Sequence, residues 1–273
     1  MNIDTEKIAL ELIDTFKIAG DVSIKLRKDG LIKEIKKDNT PVTNGDIEVN
    51  KILTEKISKV TPDIPIVSEE TSINKNKENL KTFWLIDPID GTSDYINNKD
   101  EFTLNAALII NNKPGLGLIN APAKNRMFYS YGDKNSFEII NNKKINLSEK
   151  LKKDNQEFIA VHYSNSLKPE IERLHEKFNI KKFYKMKSSL KFCVLAAGEY
   201  DFYFAEPRAS EWDIAAGHAI LEHSGGKLTD FDGNEILYGK PNFKNLPIKP
   251  FCLISRPKNI LSVIDKAGER AKF

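Results

Sequence analysis

Apolar residues recur at helical spacing near the start of the chain, at Ile8, Leu12, Phe16, Ala19 and Val22, so the first ~25 residues predict an amphipathic helix. Residues 31–35 predict a short strand. A polar, turn-rich run at 36–46 then enters a second helix, whose apolar face is Val49, Ile52, Leu53, Ile57 and Val60. Asp46 falls in its first turn, where a carboxylate complements the helix dipole. Pro62 and Pro65 end the helical region. Residues 64–67 predict a strand that runs out into Ser68-Glu69-Glu70-Thr71, and the polar residues 72–81 read as a mobile loop.

Phe83-Trp84-Leu85-Ile86 is continuous and apolar, the pattern of a strand buried on both faces. Asp87-Pro88-Ile89-Asp90-Gly91-Thr92 follows at its carboxyl end, where open α/β sheets place their ligand sites. Two carboxylates this close raise one another's pKa unless a cation lies between them. Pro88 stiffens the bend, which leaves the Ile89 carbonyl free to turn toward the same cation, and a hard divalent ion suits such an oxygen set. Asp-Pro and Asp-Gly are also ordinary loop punctuation. Both readings stay open on this stretch alone.

Beyond it, 102–110 and 115–120 predict paired strands around the turn Asn111-Asn112-Lys113-Pro114, and 127–131 another strand. Residues 133–156 are polar, with a turn at Asn141-Asn142-Lys143-Lys144. A lobe boundary placed here divides the chain into 1–150, an α+β lobe with most of the acidic candidates, and 151–273, an α/β lobe with Asp213. Strands are expected at 157–163, 182–187, 201–205 and 251–255, and helices at 169–178 and 260–267. Ser188 caps a helix with Leu190, Cys193, Val194 and Ala197 on its apolar face, ending at Gly198. Glu211-Trp212-Asp213 opens a helix that Gly225-Gly226 stops. This alternation predicts a layered α/β (α+β) architecture.

Composition narrows the function classes. Of 273 residues, 42 are Lys or Arg and 39 Asp or Glu, a formal net charge of +3, too small an excess to call for nucleic-acid binding. Cys193 and Cys252 each sit in an apolar run and read as buried free thiols. No signal-peptide pattern opens the chain, and no apolar run approaches the ~20 residues of a spanning helix. A soluble cytoplasmic protein is expected, monomer or homodimer, with peripheral attachment to the inner membrane left open. His162, His175, His218 and His223 lack metal-type spacing. There is no Walker-type loop and no Gly-x-Ser-x-Gly elbow.

Four acids share one trait. Glu69 and Asp87 follow strands, Asp90 lies three residues on, and Asp213 starts a helix, places that gather at one face of a layered domain. Two or three Mg²⁺ ions held there would suit phosphate chemistry, with the Gly91 and Thr92 amides at a helix start receiving a phosphate.

These residues carry a resemblance. The run Trp84-Leu85-Ile86-Asp87-Pro88-Ile89-Asp90-Gly91-Thr92 resembles the signature of the inositol monophosphatase superfamily of Mg²⁺-dependent, lithium-sensitive phosphatases. Glu69-Glu70, Pro41-Val42-Thr43-x-x-Asp46 and Trp212-Asp213-Ile214-Ala215-Ala216-Gly217 resemble its other motifs, in order and spacing over nearly the whole chain. Within it, Asp38-Asn39-Thr40-Pro41-Val42-Thr43, Glu101-Phe102-Thr103-Leu104-Asn105-Ala106-Ala107-Leu108-Ile109 and Ser188-Ser189-Leu190-Lys191-Phe192-Cys193 are similar to the bacterial CysQ-type 3'(2'),5'-bisphosphate nucleotidases.

The resemblance implies a sugar-phosphatase-like fold of alternating layers (αβαβα) and hydrolysis of 3'-phosphoadenosine 5'-phosphate to AMP and phosphate. It implies one Mg²⁺ on Glu69, Asp87 and the Ile89 carbonyl, a second on Asp87, Asp90 and Asp213, and a third, weaker ion near Glu69. Asp46 with Thr92 would take the proton of the attacking water, supported by Glu70. Gly91 and Thr92 would clamp the phosphate, and Ser188 and Lys191 would meet the substrate, Lys191 holding its second phosphate. A solvated surface lysine is the plainer reading of Lys191. Arg208 is a weaker phosphate candidate. Two departures stand out: Gly45 where the family usually has Ala, expected to loosen the helix start, and Ser93-Asp94-Tyr95, with Asp94 expected to point to solvent. The rivals are an inositol- or fructose-phosphate phosphatase of the same superfamily and a noncatalytic phosphometabolite-binding protein.

Overall fold

Helix α1 (Thr5–Asp29) turns Ile8, Leu12, Phe16 and Ala19 inward, and the Asp4 carboxylate caps it by accepting from the Lys7 amide at 3.0 Å. The computed structural model describes residues 3–37, 39–70, 80–149, 157–205, 209–230 and 233–239, with the backbone of 251–254. Next to α1 lies α2 (Asn44–Val60), which buries Val49, Leu53 and Ile57. Between them β1 (Lys33–Ile35) and β2 (Pro41–Thr43) pair antiparallel. The polar run at 36–46 therefore holds a strand, which its composition conceals because Pro41 lacks a donor and only Val42 is strongly apolar.

The central sheet has seven strands in sequence order: β3 (Ile66–Ser68), β4 (Phe83–Asp90), β5 (Thr103–Ile110), β6 (Lys113–Ala121), β7 (Arg126–Ser130), β8 (Ser136–Ile140) and β9 (Lys143–Asn146). Only β3 and β4 pair in parallel. A short helix, α3 (Thr92–Ile96), lies between β4 and β5. Both predicted four-residue turns shrink to two residues, Asn111-Asn112 and Asn141-Asn142, all four with positive φ, as tight hairpins require. Residues 136–146 thus form two strands rather than a polar loop. The edge strand β9 is half-exposed and carries Lys143 and Lys144, which hides it from a hydrophobicity pattern and guards the sheet edge.

The second sheet follows the order β11-β10-β12-β14-β13. Its strands are β10 (Phe158–His162), β11 (Ile180–Lys185), β12 (Phe202–Ala205), β13 (Lys227–Asp230) and β14 (Phe251–Ile254), with helices α4 (Pro169–Lys177), α5 (Leu190–Ala196) and α6 (Glu211–His223) between them. Strand β13 has no counterpart in the sequence pattern, being short and only partly buried. Ser188 is not the cap of α5: it has φ 53°, and the cap position falls to Ser189. The expected helix at 260–267, most of the loop at 72–81, Asp38, Arg208 and the Cys252 side chain lie outside the described residues. Cys193 is buried and free.

Strand alternation stacks the layers. On β4, Trp84 and Ile86 join the α1/α2 core, while Phe83 and Leu85 join the core of α5 and α6. On β12, Tyr203 and Ala205 face α5 and α6, while Phe202 and Phe204 face α4. The order is helices, seven-stranded sheet, helices, five-stranded sheet, helix: the expected αβαβα layering. Among the described residues no helix is long and apolar enough to cross a membrane. Phe16 is fully buried between α1 and the central sheet. Phe16→Ala is expected to cost about 3–5 kcal/mol, read as a fall in the urea midpoint.

Candidate active site

Strand β4 delivers two carboxylates to one face by means of an irregularity. Residues three apart on a regular strand point to opposite faces. Here Asp87 stands opposite Asn105 and Asp90 opposite Thr103, so β4 spends one residue more than β5 over the same span. The bulge falls at Pro88, which has no amide hydrogen to give the ladder. The extra residue restores the parity, and both aspartates face α5 and α6. Glu69 lies alongside, its amide donating to the Ile86 carbonyl at 3.0 Å.

Two further acids, Asp46 and Asp213, close the capping boxes of helices. Thr43 caps α2 and Ser210 caps α6, and the third helical residue, Asp46 or Asp213, returns a carboxylate to the cap in each case. One oxygen of each is thereby held. Asp46 Oδ2 accepts from the Thr43 amide at 2.8 Å and the Thr43 hydroxyl at 2.6 Å, leaving Oδ1 toward the Thr92 hydroxyl at 3.3 Å. Asp213 Oδ2 accepts from the Ser210 amide at 2.6 Å, and its carboxyl group stands near enough to that of Asp87 for each to shift the other's ionisation. The helix start at Gly45 is not loosened: the capping box is complete.

Burial and mutual repulsion dominate the electrostatics. Asp87 is held well above the usual carboxylate range by burial and by the charges of Glu69, Asp90 and Asp213. Burial and Asp90 push Asp213 up to about 8. Asp90 is raised by burial, against the pull of Lys191. Asp46 and Glu70 are raised by burial, opposed by the Thr43 hydrogen bonds and by Lys36 respectively. Asp87 Oδ1 is buried with no hydrogen-bond partner. A divalent cation would partner that oxygen and quench the repulsion, so the donor set fits Mg²⁺. Among the described residues no three acids, histidines or cysteines already stand at metal-cage spacing. The carboxyls of Asp87 and Asp213 close on each other, and the Lys36 ammonium holds Glu69 at 3.0 Å and Glu70 at 2.5 Å. The Ile89 carbonyl accepts from the Thr92 hydroxyl at 3.1 Å.

Gly91 precedes α3 with φ 94°, a backbone only glycine adopts readily, and a Cβ there would meet the Glu101 carbonyl at 3.0 Å. Asp90, Gly91, Ser188, Lys191 and Asp213 line one cavity of about 260 Å³, together with Tyr163, Lys187 and Tyr203. Lys191 is not a solvated surface residue. It is 7% exposed, donates to the Ser188 carbonyl, and lies 5.3 Å from the centre of the Tyr203 ring. Burial brings its pKa down to about 8. Asp94 does not point to solvent either: it is buried, lines the cavity and pairs with Lys99 at 3.6 Å.

Three residues join the site without a signal in the sequence reading. Lys36 sits in a polar run where a lysine looks solvated. The Ser189 hydroxyl lies 2.6 Å from both Asp90 Oδ2 and the Asp213 carbonyl, and it accepts from Asn105 Nδ2 at 3.0 Å. Ser189 and Asn105 thus tie together β4, β5, α5 and α6, a convergence that only the packed layers create. The histidines stay out of the site: His218, for instance, meets the Tyr238 hydroxyl at 2.9 Å.

The layering and the acid-lined edge define a recognisable class of fold. The crystal structure of CysQ from Bacteroides thetaiotaomicron, a bacterial member of the inositol monophosphatase family, superposes with a TM-score of 0.75 at 26% identity, covering 94% of this chain and 100% of that one. The family model for the inositol monophosphatase family matches residues 4–253, and the chain belongs to that family. It is 37% identical over 210 residues to the 3'(2'),5'-bisphosphate nucleotidase CysQ of Buchnera aphidicola, covering 74% of this chain and 76% of the relative. It is 33% identical over 214 residues to that of Haemophilus influenzae, covering 76% and 78%.

The crowded carboxyls generate a pH dependence. Asp213 ionises near 3.8 in an unfolded chain and near 8 in the fold, so across that window the native state holds a proton that the unfolded chain has lost. With divalent cations chelated, stability is therefore expected to fall as pH rises from about 4 to about 8. Mg²⁺ is expected to raise the melting temperature most at the upper end. Thermal melts with EDTA or Mg²⁺ across this range check both trends.

Proposed function

We propose that the protein is a Mg²⁺-dependent 3'(2'),5'-bisphosphate nucleotidase that removes the 3'-phosphate of 3'-phosphoadenosine 5'-phosphate, giving AMP and phosphate. The observation that carries the choice of substrate is the buried Lys191 ammonium in the same cavity as Asp90 and Asp213. A desolvated cation next to the acidic centre suits a substrate with a second phosphate. The nucleotidase relatives support the same choice.

Glu69, Asp87 and the Ile89 carbonyl would hold one Mg²⁺, and Asp87, Asp90 and Asp213 a second, with a third near Glu69. Bound Mg²⁺ supplies Lewis-acid charge that draws density from the phosphoryl group and makes water a stronger acid. The chain's own groups do the rest. Thr92 Oγ1, between the Ile89 carbonyl and Asp46 Oδ1, orients the attacking water. Asp46 takes its proton, since burial raises its basicity and the Thr43 hydrogen bonds fix its orientation. Glu70 and Lys36 set the charge around Glu69. The Gly91 and Thr92 amides receive phosphoryl oxygens as the bond to the ribose 3'-oxygen breaks in line, and Ser188 and Lys191 hold the far phosphate.

Asp90→Asn is expected to abolish Mg²⁺-dependent phosphate release, a loss of at least ~100-fold in kcat, with an unchanged circular dichroism spectrum; an active variant would refute the assignment. Lys191→Ala is expected to raise KM for the bisphosphate about tenfold or more and to leave KM for a nucleoside monophosphate nearly unchanged. Equal effects on the two substrates would remove the role given to Lys191. Wild-type turnover of inositol 1-phosphate above that of the nucleotide would favour the inositol phosphatase reading.

A further inference from the structure

Gly45, in the first turn of α2, and Tyr95, in α3, meet in space. A Cβ on Gly45 would lie 2.4 Å from the Tyr95 hydroxyl oxygen, 2.7 Å from Cε1 and 2.9 Å from Cζ. No carbon is tolerated at such distances without displacement. The ring has nowhere to retreat. Tyr95 is fully buried, its hydroxyl donates to the Ser23 carbonyl of α1 at 2.6 Å, and its ring centre lies 4.8 Å from that of Phe102. The first turn of α2 and helix α3 therefore stand at a spacing that glycine permits and alanine does not.

The same two segments carry the proposed proton-transfer pair. Asp46 follows Gly45 directly, and Thr92 lies one turn before Tyr95, whose amide donates to the Gly91 carbonyl at 3.0 Å. The Asp46–Thr92 contact is already long at 3.3 Å, so a small separation of α2 from α3 would break it.

We propose that Tyr95 is a positioning residue: wedged against Gly45 and tied to Ser23, it sets the separation of Asp46 from Thr92. This rests on the reaction proposed above. Tyr95 touches neither substrate nor ions in this scheme. It acts by holding α3 against the capped start of α2. The hydroxyl and ring edge of Tyr95 together occupy the room that an alanine methyl at position 45 would take, the hydroxyl most closely.

The test is a double-mutant cycle of wild type, Gly45→Ala, Tyr95→Phe and the double variant, read by kcat, by KM and by thermal midpoint. Gly45→Ala is expected to lower kcat on the order of ten- to a hundredfold with KM unchanged, because Asp46 and Thr92 act on the proton rather than on substrate binding. Tyr95→Phe, which loses the Ser23 tie, is expected to lower kcat less, again at constant KM. The double variant loses the 2.4 Å contact and frees the ring from Ser23 but keeps the Cε1 and Cζ contacts, so it is expected to regain part of the kcat and thermal midpoint lost in Gly45→Ala.

A double variant no better than Gly45→Ala, or single variants that move KM or melting alone, would overturn the proposal. Should Gly45→Ala fail to fold, Tyr95→Phe decides: wild-type kcat in that variant refutes the role. A wild-type protein without Mg²⁺-dependent phosphate release would overturn the reaction and this role with it. The Gly45–Tyr95 contact is still judged separately, since additive shifts in melting across the cycle would rule it out.

Discussion

Carboxylates taken out of water and set side by side repel one another, and the centre of this protein is organised around meeting that repulsion. Asp87, Asp90 and Asp213 each ionise less readily because they are withdrawn from water and because like charges stand near, Asp90 beside Asp87 and Asp213, and Glu69 beside all three. Several partial remedies are visible. Lys36 lies between Glu69 and Glu70, Lys191 opposes Asp90, and the Ser189 hydroxyl bridges Asp90 and the Asp213 carbonyl. One acceptor, Asp87 Oδ1, remains buried and unmet. A site that withholds its last partner in this way is strained toward a cation, and local conflict of this kind is expected where function resides.

The strain is tolerable because rigid elements hold each acid by atoms it does not need for chemistry. Asp46 and Asp213 each spend one oxygen on a helix cap and point the other inward. Asp87 and Asp90 hang from a strand whose apolar residues are packed on both sides. Capping and the roles proposed for these acids then draw on the same residue without competition, since the helix N-terminus favours the negative charge that a cation also requires.

Much of this was legible in the chain. Helical periodicity located α1, α2 and α6, and the doubly apolar run of β4 announced a strand covered on both faces. The acids of the site stand at strand ends and helix starts, positions that can be read from turn and cap chemistry. Other features were not legible. Strand β9 carries lysines because it lies at the sheet edge, β8 buries Ser136 and Glu138 against the Ile220 carbonyl and Arg126, β2 is masked by its proline, and β13 is too short for a period to register. Asp94 looked solvated, although its ion pair with Lys99 and its burial depend on how α3 turns.

By itself the sequence determined which residue types stood at which element ends, and hence the layered class, the family and the four acids of the centre. These are local properties, written in spacing and in the stereochemistry of proline, glycine and capping residues. Only the tertiary structure decided that Asp87 and Asp90 share a face, because that depends on a bulge whose partner strand lies some fifteen residues on. It also decided that Lys36, Asn105 and Ser189 belong to the site, that Lys191 is buried, and that Gly45 and Tyr95 touch. Contacts between residues far apart in the chain arise when whole layers close on one another, and no pattern within a single element records them.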